Sequence, residues 1–131
     1  MMFGADKTVT VINQWVEDGV QQYACHTFAG CSWFEIHAAS ATNESGGYRM
    51  KSTIRVRIPA QEGFLPPGAW AALSNADKPS HWTLGKGARL VLGTVSPEQC
   101  AALPKHLSTA ACLGWHDNRA GRCPHFYVEG G

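Results

Sequence analysis

The chain has 131 residues, 44% of them hydrophobic and 16% charged, with a formal net charge of +1. These values fit one packed domain over residues 1–131 and exclude a disordered tail, while the near-neutral charge excludes the broad basic field behind nonspecific nucleic-acid binding. No apolar run approaches the roughly 18 residues needed to cross a bilayer, so no membrane partner is expected.

The opening MMFGADKTVTV lacks a basic region followed by an apolar stretch of the secretory kind, which sets the expectation of a chain that stays in the cytoplasm. In that setting Cys25, Cys31, Cys100, Cys112 and Cys123 are expected as reduced thiols packing like small apolar residues. TVTVINQW, from Thr8 to Trp15, alternates and is rich in β-branched residues; it predicts a first strand with Val9, Val11 and Asn13 on one face and Ile12 with the threonines on the other. The acidic VEDGV carries the turn pair Asp18-Gly19, so QQYACHTF is expected to return as a second strand. After Gly30, CSWFEIHAA has the aromatic density of a further strand, and ATNESGG predicts a surface loop over 41–47.

MKSTIRVRIPA gives the cleanest period-two pattern: Ile54, Val56 and Ile58 face one way, Thr53, Arg55 and Arg57 the other, and Pro59 ends the run. FLPPGAWAAL predicts an extended approach to one short helical turn. HWTL and ARLVLG are each strand-length around Gly85-Lys86-Gly87, which predicts a hairpin. SPEQCAALPKHL has serine as a cap and proline at the first helical position, predicting a short helix that ends near Pro104. TAACLGW and PHFYVEGG, joined by the polar DNRAGRC, complete the elements as two final strands. The sum is a mainly β fold, a small β-barrel of about six to eight short antiparallel strands with one or two short helices.

Several chemical readings fail on spacing. A phosphate-cradling loop requires G-x-x-x-x-G-K-[ST] between a strand and a helix, whereas TLGKGARLVLG has Gly after Lys86 and β-rich sequence downstream, so a tight turn is expected instead. Six histidines and five cysteines suggest zinc, yet C-x-x-C and H-E-x-x-H are both absent. His116-Asp117 has the order of an oriented imidazole but no G-x-S-x-G nucleophile setting, and Asp117-Asn118 before Gly121 is the grammar of a turn. No cofactor, metal or catalysis is therefore expected. Five tryptophans (Trp15, Trp33, Trp70, Trp82, Trp115) fit a core or a subunit contact, with a stacking platform for oligosaccharide or single-stranded nucleic acid as the rival reading. Arg55 and Arg57 point away from their strand's core, which reads either as a solvated face or, more sharply, as a face that meets a neighbouring subunit's carboxylates.

Taken in order, TVTVINQWVEDGVQQY, KSTIRVRIP, FLPPGAW, HWTLGKGARLVLGTV and DNRAGRCPHFYVEGG resemble, from end to end, a family of small structural proteins of the head-to-tail joining region of long-tailed bacteriophages. The resemblance implies a head-completion or stopper-like neck subunit: a β-barrel that forms a ring of its own copies between the portal–adaptor complex and the tail and helps retain packaged DNA in the channel. Its partners would be those portal and adaptor proteins, the tail terminator or tail tube proteins and the DNA in the lumen; its location the virion's head–tail junction, after assembly in the host cytoplasm. A tail-terminator or tail-completion protein is the alternative within the same class. On this reading Arg55 and Arg57 make lateral contacts, Trp70 and Trp82 anchor an interface or the core, and the stretch from His125 through Phe126 and Tyr127 to Gly131 docks. A mobile segment, 41–47 or Gln61 to Gly68, is expected to fold on binding or to obstruct the lumen.

Overall fold

The computed structural model describes residues 6–41 and 48–131. Strands β1 (Lys7–Glu17), β2 (Val20–Ala41), β3 (Tyr48–Pro59), β4 (Arg89–Leu92), β5 (Thr109–Asn118) and β6 (His125–Gly130) close a barrel in the order β1-β2-β3-β6-β5-β4, all neighbours antiparallel. Helix α1 (Pro67–Ala71) and two 3-10 turns, Lys78–Ser80 and Pro97–Gln99, are the helical elements among the described residues. The expected small, mainly β barrel is therefore the observed architecture.

Alternation explains the wall. Val9, Val11 and Asn13 of β1, Ile54, Val56 and Ile58 of β3, Leu90 of β4, and Phe126 and Val128 of β6 all point inward and are buried. Each such aliphatic or aromatic side chain removed from water contributes about 1.5–3 kcal/mol, which makes the barrel interior the dominant stabilising element. A second apolar cluster lies outside the wall: Ile12 and Val91 are covered by Val95, Cys100, Leu103 and Leu107 from the 93–108 connection. Thr10 Oγ1 donates to the Gly93 carbonyl at 2.7 Å and fastens the start of that strap. The middle of the alternating β1, Val9 to Asn13, is thus buried on both faces.

Four local expectations are corrected. QQYACHTF and CSWFEIHAA are one continuous strand, because Gly30, at φ +70°, bends β2 from β1, its partner up to Cys31, onto β3, its partner from Ser32. HWTL is not half of a hairpin: β4 pairs with β1 and β5, and Trp82 makes only an isolated bridge to Phe64. The cause lies in the side chains, since Trp82 and Leu84 are drawn into the barrel interior and the backbone between them finds a side-chain partner. Asn13 Nδ2 donates to the Thr83 carbonyl at 2.9 Å, and its Oδ1 accepts from the Thr83 N–H at 3.1 Å. SPEQC forms only the Pro97–Gln99 turn, whose Ser96–Gln99 capping box is not followed by a helix. Finally, Gln61 to Gly68 is no free loop: Trp82 N–H donates to the Gly63 carbonyl at 3.0 Å, Trp82 Nε1 to the Glu62 carbonyl at 3.0 Å, and Leu65 N–H to the Trp82 carbonyl at 3.0 Å. The expected loop over 41–47 lies, apart from Ala41, outside the described residues.

The 60–88 connection closes one end of the barrel, with Phe64, Trp82, Phe28 and Phe126 forming an aromatic cluster at centroid separations of 4.4 to 5.0 Å. At the opposite end β2 and β3 continue together. β6 stops at Gly130, opposite Ile54, and β1 begins at Lys7, opposite Cys31, whereas β2–β3 pairing runs to Ala41–Tyr48. Among the described residues, 32–41 of β2 and 48–53 of β3 therefore have a strand on one side only. Closing the barrel leaves no open edge around its wall; this ribbon, extending about 20 Å past the rim at about 3.3 Å per residue, is where edges survive among the described residues.

Candidate interaction face

The outer wall of β2, β3, β6 and β5 is built from residues whose strand neighbours face inward. On β3, Arg55 and Arg57 alternate with buried Ile54 and Val56; on β6, Tyr127 and Glu129 alternate with buried Phe126 and Val128. Register sets Arg57 opposite Tyr127 and Arg55 opposite Glu129. The Arg57 guanidinium lies 5.4 Å from the Tyr127 ring centroid, and Tyr127 O–H donates to Glu129 Oε1 at 3.0 Å. His116 of β5 stacks on Tyr127 at 6.3 Å. Desolvation, with the Glu129 carboxylate second, pushes the Tyr127 hydroxyl up, so it remains a donor. Among the described residues neither Arg55 nor Arg57 makes an ion pair.

Apolar groups flank these cations. β2 sets Phe34 opposite Arg55 and Ile36 opposite Thr53, on the outer side of a strand whose Trp33 points inward. Phe34 is 43% exposed, Ile36 41% and Leu113, raised on a bulge of β5, 76%. Away from this wall, at the other end of β2, the β1–β2 hairpin tip exposes Val16 at 63% and Val20 at 57%. Phe34, Ile36 and Leu113 thus stand exposed on the same wall as two arginines that make no ion pair among the described residues, a composition enriched at protein contacts.

Arg55, Arg57 and Tyr127 therefore come together on one face. Trp82 and Phe126, 1% and 0% exposed, are sealed in the barrel and present nothing to a neighbour. Trp70 is also buried; its Nε1 donates to the Lys78 carbonyl at 3.3 Å, and the Lys78 ammonium sits 5.6 Å from its ring. His125 belongs to the far-end turn, where its Nδ1 lies 2.6 Å from the Cys123 carbonyl. Sequence reasoning missed Phe34, Ile36 and Leu113. The available signal was CSWFEI itself, in which Trp33 and Phe34 are adjacent, so one of the two must face outward.

The rival chemistries find no such convergence. Three of the tryptophans, Trp33, Trp70 and Trp82, are buried, and Trp15 and Trp115 are half-buried, so no exposed stacking platform forms. Asp117 does not orient His116: the two adjacent strand residues point to opposite sides, and Asp117 takes Arg119 at 2.7 Å, which holds its carboxyl below the usual range. Gly85-Lys86-Gly87 makes a turn beside a cavity of about 240 Å³. Gly85 sits at φ +127°, and a Cβ there would fall 2.8 Å from Pro67 Cγ, so close approach explains the glycine.

Residues 4–131 match the family of unknown function DUF6751. No curated protein and no solved structure matches the chain.

Proposed function

We propose that this chain, which belongs to the DUF6751 family, is a structural subunit of a bacteriophage neck, a stopper-like head-completion protein that forms a ring between the portal–adaptor complex and the tail. The observation that carries the reading is the β2–β3 ribbon. A closed barrel has no need of such an extension for its own stability, and edges held out from it are suited to strand addition by an adjoining protein. The apolar and cationic wall beside it supports lateral contact between copies, and the end-to-end resemblance of the sequence supports the place in the particle. Retention of DNA follows mechanically, from a rigid plugged barrel supplying the wall of a channel, with no group-transfer step required.

Disrupting the gene in a phage that encodes the chain tests this. The expected result is DNA-filled heads and finished tails accumulating unjoined, restored by the chain supplied in trans. Tails of uncontrolled length would instead indicate a tail terminator, and joined infectious particles would overturn the reading.

A further inference from the structure

Val16 and Val20 are exposed beside two carboxylates, Glu17 and Asp18, and among the described residues neither carboxylate makes an ion pair. The tip is stiff: Asp18 and Gly19 both lie at positive φ, 51° and 76°, the two-residue turn whose twist matches the strands it joins. Register places Glu17 opposite Val20 and Val16 opposite Gln21, so the two valines project from opposite faces of the hairpin and the carboxylates crown its end. The result is a small knob, acidic at its point and apolar on its flanks.

The wall carrying Phe34, Ile36, Arg55 and Arg57 has the opposite character: apolar groups with two cations that make no ion pair among the described residues, against one carboxylate, Glu129, which stands opposite Arg55 and takes the Tyr127 hydroxyl. We infer that the Val16–Val20 tip of one copy docks on this wall of a second copy, its carboxylates meeting Arg55 and Arg57. This inference rests on the ring reading above and names the contact that builds the ring. Within one chain the two surfaces cannot meet, because Phe34 is tens of ångströms beyond Val20 along β2 at about 3.3 Å per residue. A knob and a socket on different parts of the same molecule make a head-to-tail contact, the type that propagates from copy to copy and closes into a ring when the rotation allows. Charge complementarity fixes the partner and its register, while the stiff tip reduces the ordering cost of docking.

Photo-crosslinking of the full chain tests the contact. Benzoylphenylalanine replaces Val20, and equal amounts of 15N-labelled and unlabelled chain are mixed at high concentration, irradiated and digested. Hybrid isotope pairs joining the tip to peptides that contain Phe34–Ile36 or Arg55–Arg57 are expected. Arg55→Glu with Arg57→Glu lowers their yield about tenfold or more, since like charges then face each other, and Glu17→Lys restores it. Arg55→Gln with Arg57→Gln gives a smaller drop and guards against a folding defect, with circular dichroism as the control. Absence of cross-links, links within one chain only, links elsewhere, or a yield indifferent to charge reversal would each overturn the inference. The function proposal fails separately, on the particles: a chain present at the junction whose cross-links fall elsewhere keeps the ring and loses this contact.

Discussion

Asn13 does what a strand partner does elsewhere in the sheet. Its amide satisfies both the N–H and the carbonyl of Thr83 in a dry setting, where an unpaired backbone group costs about 1–3 kcal/mol. Asn13→Ala is expected to destabilise the chain by about 2–4 kcal/mol in urea unfolding, and Asn13→Asp, which loses the donor, to fall in the same direction. Two titratable groups limit stability from opposite sides. Desolvation holds the His26 imidazole below its usual 6.5, and its buried Nε2 has no hydrogen-bond partner, so the unfolded chain takes up a proton more readily and stability falls as pH drops below 6.5. Burial pushes the Cys31 thiol from 9.0 up to about 12, so the unfolded chain loses its proton first and stability falls as pH rises from 9.0 towards 12. Unfolding free energies measured across that range are expected to show a plateau with two falling limbs, the alkaline one no steeper than about 1.4 kcal/mol per pH unit for each such thiol. His26→Gln flattens the acid limb, and Cys31→Ala makes the alkaline one shallower, the remainder coming from Cys100, which burial pushes up to about 11, and from Cys112, raised by the same cause.

β2 is the element that sets the shape of the molecule. One strand serves the barrel wall with β1 and the ribbon with β3, and the handover at Gly30 needs a backbone conformation that a side chain resists. Gly30→Val is expected to cost about 1–2 kcal/mol in stability. Hydrogen exchange on the variant locates the damage: protection lost at the β2–β3 junction and kept in β4–β5 supports the account. The same strand marks the limit of what the sequence discloses. Val9, Val11 and Asn13 of β1 and Ile54, Val56 and Ile58 of β3 were legible as inward faces, because period-two alternation is a local property. The continuity of β2 was not, since a glycine between two apolar runs reads equally as an end and as a bend. Nor was Trp82 legible: HWTL has strand composition, and only three-dimensional closure draws Trp82 into the interior and leaves Thr83 to Asn13. Of the candidate face, Arg55 and Arg57 were readable from alternation, whereas Phe34, Ile36 and Leu113 depended on which side of each strand the barrel curls around.

For the molecule as a whole, the division of labour is between a sealed interior and an unfinished exterior. Phe64, Trp82 and Phe126 fill one end of the barrel interior. The outer wall exposes Phe34, Ile36 and Leu113, the ribbon is paired on one side only, and the acidic β1–β2 tip is opposite in charge to Arg55 and Arg57. These features give the neck-ring account its physical content: rigid units, matched charges and strand edges left for adjoining proteins. Symmetry-averaged cryo-electron microscopy of joined particles from a phage encoding the chain tests it most directly. The account predicts a ring of six-stranded barrels at the head–tail junction, with each ribbon against an adjacent ring. Junction density explained entirely by other folds, in particles from which this chain is missing, would contradict it.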